Sequence, residues 1–455
     1  MKRLIYLLFF LSFLFLFISC DNKDEFNHDP KFRLQFSEDH LSFDTLFSGI
    51  PSTTKQIKVY NPSSKAVYID EIGLENNDEG YRLNINGIAG NNAKQIQIPA
   101  KDSLYIFIEL STEDMNQDDP RLLEDHIRFT FNSKIQRFLL QSWAQDVIRF
   151  SNNELQTQVW TPKRPYFIDN NLYLQKNQTL KIQAGSKVYF QKNAGLHIHG
   201  NLAIEGQFEN PILFSSHRLE ELYDNVPGQW EGLFFYSEST DNHISHLQLE
   251  NAIQGISAQS ETNNNNLEIQ YSQFLNFSST GIETTNFNLK MHDVIVSNCG
   301  DQTIQLKGEG NFQFYHCNFI NYWKVSSRSQ ASFSYLANEN NNKKLEIVNS
   351  IILGSMSNEL EIKNKNSFQI TNTLIKLSQE KQTSLSNSLI NCIFNTDPEF
   401  VNINKHNYNL KAGSILINKA KLDIANLFPL DFNGNSRISD TAPDIGSIEF
   451  IEQVD

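Results

Sequence analysis

"LEIQYSQFLN" (267–276), "LKMHDVIVSN" (289–298), "FQFYHCNFIN" (312–321), "LEIVNSIILG" (345–354) and "FQITNTLIKL" (368–377) align without a gap. Each opens on an apolar residue and places a second one two positions on. The shorter "ISHLQLEN" (244–251) joins them at the third position. One apolar column therefore runs Ile244, Ile269, Met291, Phe314, Ile347, Ile370, at intervals of 25, 22, 23, 33 and 23. A second column lies five residues on, through Leu249, Phe274, Val296, Phe319, Ile352 and Ile375. A third follows the next turn, with Ile256, Ile282, Ile304 and Leu360.

Three short apolar bursts per repeat of 22 to 25 residues are what a parallel β-helix requires, because each coil lays its strands on those of the coil before it. Strands stack about 4.8 Å apart, so like residues recur up the axis. The leucine-rich repeat has a similar period, but its Leu-x-x-Leu-x-Leu-x-x-Asn frame is missing. Counted from Asn170 to Phe394, the spacing predicts about nine or ten coils and a rod roughly 45 Å long. Asn251, Asn276, Asn298 and Asn321 fall at one register. Such a column can pass amide hydrogen bonds from coil to coil at a tight bend, a structural role that mimics a polar active-site row.

The repeat does not reach the front of the chain. "KQIKVYN" (55–61), "AVYIDEIGL" (66–74), "SLYIFIEL" (103–110) and "DHIRFTFN" (125–132) alternate with period two between turn-rich segments. That pattern predicts the strands of an antiparallel sandwich. At the extreme N-terminus, Lys2 and Arg3 precede an apolar run from Leu4 to Ile18, shorter than the roughly 20 residues of a spanning helix and shaped as a secretory signal. The formal charge is -14, and loss of Lys2 and Arg3 with the signal makes it -16. An acidic chain without a basic stripe argues against nucleic acid as a partner. Apolar residues at 39% and aromatics at 12% supply cores to bury. Cys299, Cys317 and Cys392 are too few and too scattered for a disulfide scaffold, and read as small core residues.

Several resemblances follow from these residues. Ser19-Cys20 after the apolar run resembles the lipobox of bacterial lipoproteins, with Phe17 bulkier than usual, and implies that Cys20 is lipidated. Lys23-Asp24-Glu25 resembles the export signal of Bacteroidota surface lipoproteins; it favours the outer face of the outer membrane but leaves a periplasmic orientation open. Residues 179–256, with "NPILF" and "PGQWEGLFF", resemble right-handed parallel β-helix proteins of the pectin-lyase-like fold. The tail "NYNLKAGSILINKA", "DFNGNSR" and "PDIGSIEF" resembles their closing segment, and "FDTLFSG" with "NPSSKAVYIDEI" resembles an immunoglobulin-like module. The expected all-β organisation is a signal over 1–19, a tether over 20–31, an immunoglobulin-like sandwich over 32–148, a right-handed β-helix over 149–400 and a closing segment over 401–455.

Such folds host polysaccharide lyases and glycosidases, so catalysis must be weighed. Glycoside hydrolysis needs two carboxylates across a cleft. Asn395-Thr396-Asp397 and His199-Gly200 match fragments of the polygalacturonase pattern, but in reversed order and without its Asp-Asp or Arg-x-Lys. Glu268, Asp293 and Glu346 form no column of calcium ligands. "DFNGNSR" (431–437) has its glycine fourth, not sixth as an EF-hand loop requires. The sequence thus predicts no catalytic, metal or cofactor residues.

Binding is the favoured reading. The interval of 33 contains an excursion over 322–342, with Tyr322, Trp323, Lys324, Arg328 and Tyr335 as an expected platform for a glycan or protein partner. A second excursion, 216–230, brings Arg218, Tyr223 and Trp230, of which Trp230 is the more suited to the core. The expectation is a monomeric, lipid-anchored, non-catalytic binding protein. The alternative is a polysaccharide lyase or glycoside hydrolase with an atypical site.

Overall fold

A computed structural model describes residues 25–452, apart from residues 78, 151–152, 263, 337–344, 364–366 and 440. Cys20, Lys23 and Asp24 lie outside the described residues. The chain divides into two compact units, one ending at Asp146 and the other starting at Val147.

In the first unit, two sheets share one core. The front sheet runs, in spatial order, Gln35–Phe36, Lys55–Tyr60, Ser103–Leu110, Tyr81–Ile85 and Ile88–Ala89, all antiparallel. The back sheet runs His40–Ser42, Lys134–Gln145, Arg121–Phe131, Val67–Leu74 and Asn92–Ile98. Alternation decides which face is buried: Ile57, Val59, Ile106 and Ile108 meet Val67, Ile69, Ile127 and Phe129. One departure from the expected antiparallel pattern occurs. His40–Ser42 and Leu46–Phe47 both run parallel to Lys134–Gln145.

The second unit holds three long parallel sheets of eleven, nine and ten strands. Until the last coil each strand pairs with the strand three ahead of it in the chain, so the backbone passes through sheets I, II and III in turn, the strand order of a parallel β-helix. Sheet II ends at Leu360–Ile362, and the final strands of sheets III and I follow without it. The first strand is Ile148–Arg149, which pairs with Tyr166–Ile168, so the solenoid starts one coil before the Asn170 from which the repeat was counted. The aligned columns are ladder partners. Ile244, Ile269, Met291, Phe314, Ile347 and Ile370 pair in that order in sheet III. Leu249 through Ile375 do so in sheet I. Both columns are fully buried.

Sheet II supplies a correction. Between Ile304 and Leu360 the column is completed by Phe333, on a strand Phe333–Leu336 inside the stretch expected to be one loop. "FSYL" alternates as a strand should, but its flanks are rich in Ser and Asn. The excursion proper therefore spans 322–332.

Sheet I is apolar on both faces near its end. Its outward Ile295, Ile320, Ile351, Leu353 and Leu374 are covered by Phe400, Tyr408, Leu410, Leu416, Ile445 and Ile448 of the closing segment. Runs such as "SIILG" (350–354), with consecutive rather than alternating apolar residues, are the sequence mark of a doubly buried strand. Cys299, Cys317 and Cys392 are all free thiols.

Candidate functional site

Four of the six residues expected to form a binding platform lie inside the protein. Trp230 is fully buried, stacked on Phe190 with centroids 4.0 Å apart, and its indole N–H donates to the Glu250 carbonyl at 2.8 Å. Tyr335 is fully buried on the inner face of sheet II, its hydroxyl 3.2 Å from Ser367 Oγ. Trp323 is only 7% exposed, with Nε1 donating to Ser326 Oγ. Arg328 is buried in a two-pronged pair with the fully buried Glu359, at 2.5 and 2.9 Å, and also caps the Asn321 carbonyl. The reason is energetic. Large rings gain more by burial than by waiting for a ligand, and a guanidinium in the interior needs a carboxylate fork beside it. The 322–332 excursion folds back on the coils, and these four side chains offer no surface platform.

Tyr322 and Lys324 remain outside, and both line a cleft of about 230 Å³. Its floor is the coil surface, with Asn276, Asn298 and Ile320; its far wall is Ile403, Asn404, His406 and Tyr408 of the closing segment. The second excursion contributes Asn225, not the expected Arg218, which pairs with Glu220 and lies over the Tyr223 ring at 3.8 Å.

The floor is the asparagine ladder. Asn251, Asn276 and Asn298 have φ of 64°, 61° and 58°, the left-handed region that asparagine tolerates better than most residues. Asn298 Nδ2 donates to Asn276 Oδ1 at 2.6 Å, and Asn276 Nδ2 to Asn251 Oδ1 at 3.4 Å. Asn321 leaves the ladder: its Oδ1 accepts from the Cys299 amide and its Nδ2 donates to the Asp301 carbonyl. Three asparagines, not four, form the row.

At the wall, Lys324 Nζ donates to Asn404 Oδ1 at 2.8 Å. His406 Nδ1 lies 3.3 Å from the Tyr408 hydroxyl and 3.5 Å from Ser297 Oγ. Burial pulls the His406 imidazole below its ordinary value and pushes the Tyr408 and Tyr322 phenols up, Asp397 and Glu359 adding to the rise at Tyr322. At neutral pH the lining is thus uncharged amides, phenols and imidazole, with Lys324 its single cation and no carboxylate. Asn404, His406 and Tyr408 carried no sequence signal, since only folding of the closing segment brings them beside Tyr322.

A second, more open groove of about 470 Å³ runs along sheet II, with His199, Tyr236, Glu238, Gln259 and Glu261 in its lining. Here the aromatic faces are already used. His197 stacks on Tyr173 at 4.7 Å and on Phe234 at 4.9 Å, and His199 on Tyr236 at 4.3 Å, leaving ring edges outward. Glu238 is held low by its own backbone amide and by His199, 3.3 Å away. The carboxyls that burial raises, Glu250 and Glu449, line neither groove. Among the described residues no group of three His, Cys, Asp or Glu is placed to hold a metal ion.

No family model and no curated protein sequence matches the chain. Among solved structures it is similar to a family 123 glycoside hydrolase from Clostridium perfringens, described as acting on glycolipid glycans, at 12% identity over 27% of this chain and 25% of that one, with a TM-score of 0.18. It is also similar to the catalytic unit of the GH87 α-1,3-glucanase from Streptomyces thermodiastaticus strain HF3-3, at 9% identity over 74% of this chain and 75% of that one, with a TM-score of 0.28. The fold assignment rests on this chain's own strand ladders.

Proposed function

We propose that this protein is a lipid-anchored surface protein whose β-helix holds a glycan without cleaving it. In this reading the N-terminal signal ends at Cys20, which carries the lipid, and Lys23-Asp24-Glu25 directs the protein to the outer face of the outer membrane. The front unit is an immunoglobulin-like spacer, the solenoid is right-handed, and the protein acts as a monomer without a cofactor.

The lining of the 230 Å³ cleft carries the proposal. Asparagine amides, phenols and one ammonium can donate to and accept from sugar hydroxyls, while Tyr322 adds apolar ring surface. Hydrolysis would need an ionised and a protonated carboxyl facing each other, and the cleft presents neither. A hydrolase reading would have to use Glu238 and Glu261 in the sheet II groove, where Glu238 is held in its ionised form.

Incubating the chain from residue 21 onward with uronate-containing and neutral glycans tests this. Binding without new reducing ends or unsaturated products is expected. Turnover abolished by Glu238→Gln would replace the proposal with the hydrolase.

A further inference from the structure

The front unit bears a feature that a spacer does not need. Alternation along Ser103–Leu110 turns Tyr105, Phe107 and Glu109 outward while Leu104, Ile106 and Ile108 enter the core. Across the ladder, Lys58 stands opposite Tyr105, Gln56 opposite Phe107, Asn84 opposite Phe107 and Arg82 opposite Glu109. Tyr60, Tyr105 and Phe107 are 37%, 42% and 39% exposed, three large rings on one face of one sheet. The Lys58 ammonium sits 5.3 Å from the Tyr60 centroid and 5.2 Å from that of Tyr105. Tyr105 and Phe107 have planes within 24° and centroids 6.4 Å apart, near the outer limit of an offset-stacked pair, and both stay well exposed. A groove of about 520 Å³ opens beside them, lined in part by Phe107, Arg82, Asn84, Asn91 and Glu109.

The charges on this face are as telling as the rings. Ion pairs elsewhere in the unit join Glu25, Glu71 and Glu75 to Lys65, Lys94, His126, Arg128 and Arg137. Among the described residues neither Lys58 nor Arg82 has a carboxylate partner. Among the outward residues of the three described strands the one acid is Glu109, which accepts a hydrogen bond from the Thr54 hydroxyl. A strongly acidic chain thus keeps two unpaired cations between exposed rings and amides.

We propose that this sheet face is a second saccharide-binding site, taking an acidic polysaccharide laid across the three strands. Sugar rings stack on Tyr105 and Phe107, carboxylates pair with Lys58 and Arg82, and Gln56 and Asn84 meet hydroxyls. The site is independent of the cleft on the β-helix.

Affinity electrophoresis of the chain from residue 21 onward, which keeps both compact units, through gels containing polygalacturonate, its methyl ester or dextran tests the site. Retardation by polygalacturonate well beyond that by dextran is expected. Tyr105→Ala with Phe107→Ala should weaken it at least roughly tenfold at an unchanged thermal midpoint, as loss of central aromatic anchors does. Lys58→Gln with Arg82→Gln should remove the preference for the acid over its ester and flatten the salt dependence. Lys94→Gln, on the back sheet of the same unit where it pairs with Glu71, should leave retardation as it was. Equal retardation by polygalacturonate and dextran would overturn the proposal. So would wild-type retardation of both double variants, or an equal loss with Lys94→Gln.

Discussion

Two corners of the β-helix face the same backbone problem and solve it differently. Between sheets I and II, Asn251, Asn276 and Asn298 take the left-handed conformation and bond to one another. Between sheets III and I, the same conformation recurs at His246, Tyr271, Asp293, His316, Asn349, Asn372 and Asn391, with φ between 44° and 55°. Side chains there do not form a self-sufficient row; the closing segment satisfies several of them. Arg437 pairs with Asp293, the Gly446 carbonyl meets His316, and Asn349 exchanges hydrogen bonds with Lys421. The lesson is that an amide ladder can stay open to a cleft, whereas a mixed corner has to be covered.

Breaking the covered corner should cost most. Arg437 is fully buried between Asp293 and Glu449, so Arg437→Ala strands two interior carboxylates. We expect a loss of about 3–5 kcal/mol and a fall in thermal midpoint on the order of 10 °C, read by calorimetry. Arg328→Ala strands only Glu359, and should cost somewhat less, about 3 kcal/mol, by the same measurement. An unchanged midpoint there would return Arg328 to the surface, where the sequence alone had placed it.

How far the sequence could be read depends on whether partners recur at the repeat. Ile269, Met291 and Phe314 were legible because stacking brings like onto like every 22 or 23 residues. Phe333 escaped because the interval around it is stretched on both sides. Asp293 and Arg437 lie 144 positions apart, and no period links them. The cleft was half legible: Tyr322 and Lys324 stood out by composition, but its wall exists only once the closing segment is docked.

Acid should separate the corners more gently. His316 is fully buried with Nδ1 against the Gly446 carbonyl and Nε2 taken by Asn349 Nδ2, so the neutral ring fits, and burial and Arg437 hold its pKa well below the ordinary value. The folded state then binds fewer protons than the unfolded one. His316 therefore contributes stability above pH 6.5 that is lost as pH falls below it, by about 1 kcal/mol per pH unit. Replacement by Asn, which accepts the same backbone conformation, should flatten that slope in thermal melts between pH 7 and 5.

The open ladder should yield least. Asn276→Gly keeps the left-handed backbone at 61° but removes the bonds to Asn251 and Asn298. A loss of about 1 kcal/mol in chemical denaturation is expected. A loss as large as that of Arg437→Ala would mean the two corners do not differ as described.

The central claim is that the cleft beside this ladder binds glycan. Tyr322→Phe with Lys324→Gln removes a hydroxyl and the single cation while keeping the ring that packs on the closing segment. For a glycan the wild-type chain retains, calorimetric titration should show binding weakened at least roughly tenfold, about 1.4 kcal/mol, with the thermal midpoint moved by no more than about 2 °C. Undiminished affinity in this folded variant would contradict the claim.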